Sequence, residues 1–290
     1  METIYEIMLD ALLDSIKALP FLFGAYLLLE YLEHRASDKM NHMMAGSRKL
    51  GPVAGAFLGC IPQCGFSVAA ANLYSGRIIT AGALIAVFLS TSDEAIPVLL
   101  SEPQLYGTVL WLMVIKIVIA LVAGILVDLL AAMRLKAHKK SLLAEEDQMQ
   151  EICKDCDCEH SVLKSALHHT LEIFFFLFVV SLILGAVVEA VGQERLGALL
   201  LKGSIFQPAL AALIGFIPNC AASVILTRLF IEGTVSFGAL AAGLLTGAGA
   251  GLAVLWRVNL NVRDNIRIMA ILYVVAVVTG SMMQLFSFVV

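Results

Sequence analysis

Two short stretches carry residues able to hold a soft cation inside otherwise apolar sequence. Gly59-Cys60-Ile61-Pro62-Gln63-Cys64-Gly65-Phe66-Ser67-Val68 contributes two thiols, an amide and a hydroxyl around a proline. Gly215-Phe216-Ile217-Pro218-Asn219-Cys220-Ala221-Ala222-Ser223-Val224 contributes one thiol, an amide and a hydroxyl around another. Thiolate sulfur suits soft metals and metalloids, and amide oxygens add neutral ligands. Each proline ends one half-helix and favours the start of the next. The free N–H and C=O groups of such ends would then face a common pocket. Cys60, Pro62, Gln63, Cys64, Ser67, Pro218, Asn219, Cys220 and Ser223 are therefore the expected substrate-binding residues. The plainer alternative is that buried cysteines pack as small apolar fillers.

A second polar interruption is Ser90-Thr91-Ser92-Asp93-Glu94, which marks a second break and is echoed by Thr246-Gly247-Ala248-Gly249-Ala250. A carboxylate in a membrane span costs roughly 3 kcal/mol on insertion scales and is a functional candidate by default. Ser90, Ser92, Asp93 and Glu94 are expected to couple a proton or bind a cation. Lys116 is expected to pair with Asp93, Glu94 or Glu30 and to neutralise the empty site; the alternative is a lysine that snorkels from a tilted helix. Lys17 and Glu172 fall at near-matching places and are expected to form a structural pair. Cys153, Cys156, Cys158 and His160 lie in a polar segment with C-x2-C-x-C-x-H spacing, a set that could wrap one zinc-sized or thiophilic ion. No second CxxC completes a zinc knuckle, so an acidic loop with incidental thiols stays open. Apart from a metal at that segment, no cofactor is expected.

The two proline stretches are copies. Pro62 and Pro218 are 218 − 62 = 156 apart, and the same offset carries Pro52 onto Pro208, Gly82-Ala83-Leu84 onto Gly238-Ala239-Leu240 and Gly124 onto Gly280. A gapless register from residue 52 to 126 reads as internal duplication.

The elements that must position these residues are membrane helices. Of 290 residues, 60% are hydrophobic and only 14% charged, with mean hydropathy +0.92. A soluble domain carries about 25% charged residues, so this chain cannot cover a water-facing surface. The acidic start, Met1 to Asp10, lacks the basic segment of a signal peptide. Half the cysteines lie in apolar sequence and half beside basic sequence, which is not a secreted disulfide framework.

Apolar spans are expected at Asp10–Glu33, Ile78–Leu100 and Leu105–Leu130, with their counterparts in the second half. The His34–Lys49 loop, Arg77 and Arg134–Lys140 all seek the cytoplasm. They reach it together only if Gly51–Ser75 enters and returns as a hairpin around Pro62. Three crossings per half is an odd number, so the second half is inserted upside down, with Arg257, Arg263 and Arg267 cytoplasmic. The expected fold is all-α and polytopic: two inverted repeats, each of three transmembrane helices plus a re-entrant broken-helix hairpin. Its parts are a first repeat over 1–140, a Cys/His/acidic cytosolic linker over 141–163 and an inverted second repeat over 164–290. Inverted repeats with broken helices are the build of many secondary transporters.

The Cys-Ile-Pro-Gln-Cys and Ile-Pro-Asn-Cys repeats, the Ser-Thr-Ser-Asp-Glu-Ala-Ile-Pro run at 90–97 and the Cys/His/acid linker resemble the ten-helix heavy-metal exporters over essentially the whole chain. Members carry the labels arsenic efflux protein or manganese transporter. The resemblance implies export of a metal or metalloid. Phe216 stands where the first copy has Cys60, so at most three thiols could meet. No P-loop or HExxH is present. The expected activity is therefore secondary active export of a heavy-metal or metalloid ion across the inner membrane. A manganese or other divalent-cation exporter using carboxylates and carbonyls remains open, as do a small-anion transporter at the half-helix N-termini, a thiol-redox membrane enzyme using Cys60 and Cys64, and a metal-sensing scaffold. Expected partners are the ion and membrane lipid, with a homo-oligomer open and no nucleic acid.

Overall fold

A computed structural model describes residues 50–61, 64–91, 95–138 and 204–286, together with scattered helical positions between 8 and 27 and between 167 and 186. Everything described is helix, turn or bend. The first half holds α1 (Leu50–Gly59), α2 (Cys64–Ser75), α3 (Ala81–Ser90), α4 (Ala95–Leu100), a 3-10 turn at Pro103–Leu105 and α5 (Tyr106–His138). The second holds α6 (Gln207–Gly215), α7 (Cys220–Ile231), α8 (Phe237–Thr246), α9 (Ala250–Val258) and α10 (Val262–Leu285). The offset of 156 carries α2 onto α7 and α3 onto α8 end for end, so the duplication read in the sequence extends to the helix boundaries.

Four segments among the described residues are long and apolar enough to cross a membrane: Ala81–Leu100, Tyr106–Met133, Phe237–Val258 and Val262–Leu285. The first and third are each a pair of half-helices, α3–α4 and α8–α9. Both pairs are mostly buried, and α3 and α8 are apolar on every face, whereas most of α5 and α10 is not buried. A helix apolar on every face belongs at the centre of its bundle. On α5 the exposed positions include Leu110, Val114, Val118, Val122, Leu126 and Leu129, a stripe that suits lipid. The remaining two expected spans fall largely outside the described residues, as does the whole linker with Cys153, Cys156, Cys158 and His160.

Small residues let the helices approach closely, as is usual in membranes. A Cβ on Gly124 of α5 would lie 2.7 Å from the Gly82 carbonyl oxygen and 3.0 Å from both the Ala86 and Pro52 Cβ atoms. A Cβ on Gly280 of α10 would lie 2.6 Å from the Gly238 carbonyl oxygen, 2.7 Å from the Ala242 Cβ and 3.2 Å from the Pro208 Cβ. The two sets of neighbours are related by the same offset.

The outer ends of α3 and α8 are capped alike. Thr80 Oγ1 accepts from the Ala83 N–H and Ser236 Oγ from the Ala239 N–H. At the α3 end the Asp128 carboxylate also accepts from Thr80 Oγ1 (2.7 Å) and from the Gly82 N–H (2.9 Å), an anion placed at the positive end of a helix.

The halves are interleaved. α2 of the first half packs along α9 of the second, and α7 of the second packs on α4 of the first. Both apolar cores draw residues from both halves. At the far end of the α2–α9 seam, Ser75 Oγ donates to the Val258 carbonyl (2.8 Å) and Tyr74 OH donates to Asp264 Oδ2 (2.5 Å). Glu172 pairs with Arg257, whose guanidinium also lies 4.6 Å over the Phe176 ring. Lys17, its expected partner, lies outside the described residues.

α2 and α7 both stop in a left-handed residue, Arg77 at φ 61° and Gly233 at φ 71°. In each, the next residue's N–H reaches back five positions, Ile78 to Leu73 and Thr234 to Leu229, both at 2.9 Å. Glycine adopts this conformation freely, whereas an L side chain pays about 1 kcal/mol or more. Arg77→Gly should therefore raise the melting temperature of the detergent-solubilised protein by a few degrees and Gly233→Arg lower it comparably. Equal, near-zero shifts for both would contradict the assignment of strain.

Candidate functional site

The site is the meeting place of the two helix breaks. α3 ends at Ser90 with Thr91 as its C-cap. α8 ends at Thr246, and Gly247-Ala248-Gly249 leads into α9. Gly249 adopts φ 55° and ψ −142°, a conformation open essentially to glycine alone. Its counterpart under the offset is Asp93.

Each break is tied to its hairpin by a hydroxyl. Ser90 Oγ donates to main-chain carbonyls, Ala86 O at 2.8 Å in its own helix and Gly55 O of α1 at 3.4 Å among them. Thr246 Oγ1 donates to Ala212 O of α6 at 2.8 Å. Both residues are fully buried. Ser90 was expected to couple an ion; its hydroxyl lies nearest the Ala86 carbonyl of its own helix, with the Gly55 carbonyl of α1 at 3.4 Å. Cys60, buried and reduced, follows Gly59, which is pressed against Ser90 and the Val87 carbonyl.

The second arms of the hairpins reach the same place. A Cβ on Gly251, in the first turn of α9, would lie 2.7 Å from Ser67 of α2. A Cβ on Gly247 would lie 3.5 Å from Ser223 Oγ of α7. Ser67 and Ser223 are both buried. Cys64 and Cys220 open α2 and α7, so their main chains stand at the positive ends of those helices; their side chains lie outside the described residues. Pro218 and Asn219 form the bend before α7, and the Asn219 carbonyl accepts from the Ala222 N–H at 3.2 Å. Pro62, Gln63, Ser92, Asp93 and Glu94 also lie outside the described residues. Among the described residues no three His, Cys, Asp or Glu side chains converge on a metal-sized point.

Lys116 is the centre of the arrangement. It lies near the middle of α5 and is completely buried. Its Nζ donates to the Thr91 carbonyl at the end of α3 and to the Leu244 carbonyl near the end of α8, the latter at 2.7 Å. The lysine thus does not snorkel. It bridges the two halves, and among the described residues it does so through main-chain oxygens; Asp93 and Glu94, its expected partners, lie outside them. Sequence reasoning singled out Lys116 and both breaks, but not Leu244 or the hydroxyl of Thr246. A leucine carbonyl has no signature in its side chain. Thr246 was legible as the counterpart of Ser90 under the offset.

Chemically, the arrangement brings together two half-helix C-termini, one buried amine, one buried thiol and the buried side-chain hydroxyls of Ser67, Ser90, Ser223 and Thr246. Many secondary transporters place their ion sites where discontinuous helices meet in this way.

Neither a curated protein nor a solved structure matches the chain significantly. One family model does match, over residues 3–194 and 189–288; its description reads "Putative, 10TM heavy-metal exporter".

Proposed function

Because the chain belongs to this ten-transmembrane heavy-metal exporter family, we propose that it is a secondary active transporter that exports a thiophilic metal or metalloid ion across the inner membrane by alternating access. The observation that carries the reading is the buried crossing of two broken helices, bridged by Lys116. Irregular backbone at membrane depth is tolerated only where it is packed in protein or lines a cavity. Transporters place their sites where discontinuous helices of two repeats meet.

The opposite insertion of the halves is part of the proposal. It is supported by the bonds from Tyr74 and Ser75 to the α9–α10 region. These bonds set the end of α2, just before α3 begins, beside the end of α9. The α3–α4 and α8–α9 pairs then run in opposite senses. Arg77 falls on the same side as Arg257, Arg263 and Arg267, the side that the charge rule assigns to the cytoplasm.

In this reading Cys60, Cys64 and Cys220 ligate the ion, and Gln63 and Asn219 complete its shell. Ser67 and Ser223 line the approach. Asp93 and Glu94 carry the coupling proton. Cys153, Cys156, Cys158 and His160 load or sense the ion on the cytoplasmic side. A second reading is favoured by the paired carbonyls at Lys116: a divalent cation such as Mn2+, held by Asp93, Glu94 and main-chain oxygens, with the sulfur idle.

Uptake into inverted vesicles tests both readings. Arsenite, antimonite, Cd2+ and Mn2+ are offered in turn, with and without a proton gradient. The thiophilic reading expects arsenite or another soft ion to accumulate, an uncoupler to abolish accumulation, and Asp93→Asn to lose the dependence on the gradient. Accumulation of Mn2+ alone supports the second reading. Accumulation of none, in vesicles shown to hold the folded protein, refutes both.

A further inference from the structure

The surroundings of Lys116 are those of an ion-binding site. The last four carbonyls of a helix lack intrahelical partners, and they carry the negative end of its dipole. Thr91 O and Leu244 O belong to two such ends, from different halves of the chain, and both accept from one Nζ. Among the described residues, the Lys116 ammonium is the positive charge that both ends share.

The repeat strengthens the point. Features that serve each half separately are duplicated: Gly82 and Gly238, Gly124 and Gly280, Ser90 and Thr246. Lys116 is not. The offset carries it onto Leu272, which is equally buried. A single amine serves both helix ends, as a single ion would at the join between two copies.

We infer that the carbonyl oxygens of Thr91 and Leu244 form a cation site, of which the Lys116 ammonium is the tethered occupant, and that a small free cation takes the place when the tether is cut. The ligand class is a primary ammonium or a small metal cation bound by main-chain oxygen. The inference deepens the exporter reading and rests on it only in one step: during transport, cargo and ammonium are alternative partners of the same carbonyls. The site itself stands or falls without any transport measurement.

Lys116→Ala removes Cγ, Cδ, Cε and Nζ, the atoms that propylammonium would restore. The purified variant is melted in detergent with propylammonium chloride and, at equal ionic strength, with choline chloride, whose quaternary head has no N–H. Wild type and Lys116→Met, which fills the space without charge, are treated in parallel. The expected result is a lowered melting temperature for Lys116→Ala that propylammonium raises by several degrees and choline does not, with no such difference for wild type or Lys116→Met. Equal responses to the two salts in Lys116→Ala overturn the inference, as does a Lys116→Met protein as stable as wild type. If Lys116→Ala needs support to survive solubilisation, it is purified in propylammonium throughout. Aggregation on removal of the salt is then the supporting result, and aggregation in its presence the overturning one. Rescue of stability together with an absence of ion uptake in vesicles would retain the cation site and reject the exporter reading.

Discussion

Serine in place of both Cys60 and Cys220 is expected to cut export of a thiophilic ion by at least about tenfold, since losing even an outer-sphere partner of a metal ligand costs that much. A hydroxyl is a hard, weakly acidic oxygen and does not replace thiolate sulfur for a soft ion. The double variant removes one candidate ligand from each hairpin, so neither half can hold the ion against the other. Folding should survive. Cys60 sits in the turn after α1, where its N–H bonds to the Phe57 carbonyl at 3.3 Å, a contact that serine keeps. The measurements are arsenite resistance in cells and soft-ion uptake in inverted vesicles, with a melting curve to confirm folded protein. Manganese tolerance should be unchanged. Loss of manganese tolerance on Asp93→Asn, with arsenite resistance intact, would instead assign the site to carbonyls and carboxylates. Loss on Cys60→Ser and Cys64→Ser singly, with Cys220→Ser harmless, would point to thiol-redox chemistry.

The duplication was legible because it writes itself twice in side chains: Pro62 and Pro218, Gly82 and Gly238, Gly124 and Gly280. The helix breaks were legible for a related reason, since polar residues and glycines are expensive at membrane depth and stand out against Leu, Val and Ala. Lys116 was conspicuous, but its described partners were not. An argument from charge looks for a carboxylate, and Asp93 and Glu94 lie outside the described residues; among those described, the ammonium meets the main-chain carbonyls of Thr91 and Leu244, groups that every residue carries. The pair of Glu172 with Arg257 was not legible for a related reason. Matching places in a repeat predicts which residues are equivalent, whereas α2 on α9 and α7 on α4 show that the strongest seams between the halves join elements that are not equivalent. Apolar periodicity marks a helix as buried; it does not say against what.

The close seams of α5 and α10 give the other large effect. By helix propensity alone, alanine for glycine inside a helix gains up to about 1 kcal/mol. At Gly124 and Gly280 the sign should reverse. The added methyl would meet the carbonyl oxygen of Gly82 or Gly238 at 2.7 Å or 2.6 Å, and a Cβ of α3 or α8 at 3.0 Å or 2.7 Å. Those atoms belong to main chain or stand directly on it, so relief requires moving a whole helix. Overpacking of this kind costs about 1–3 kcal/mol, or several degrees of melting temperature for a protein of this size. Leucine at either position should leave no folded protein. Gly107→Ala is the internal control, because it lies in the same helix as Gly124 with nothing within 4 Å; it should be neutral or stabilising. Fluorescence-detected size-exclusion melts of the three alanine variants decide the matter. A Gly124→Ala protein as stable as Gly107→Ala would mean that α5 does not lie against α3. Lys116 would then have no fixed place beside Thr91, since the contact that Gly124 permits is what holds α5, and the amine it carries, against the break.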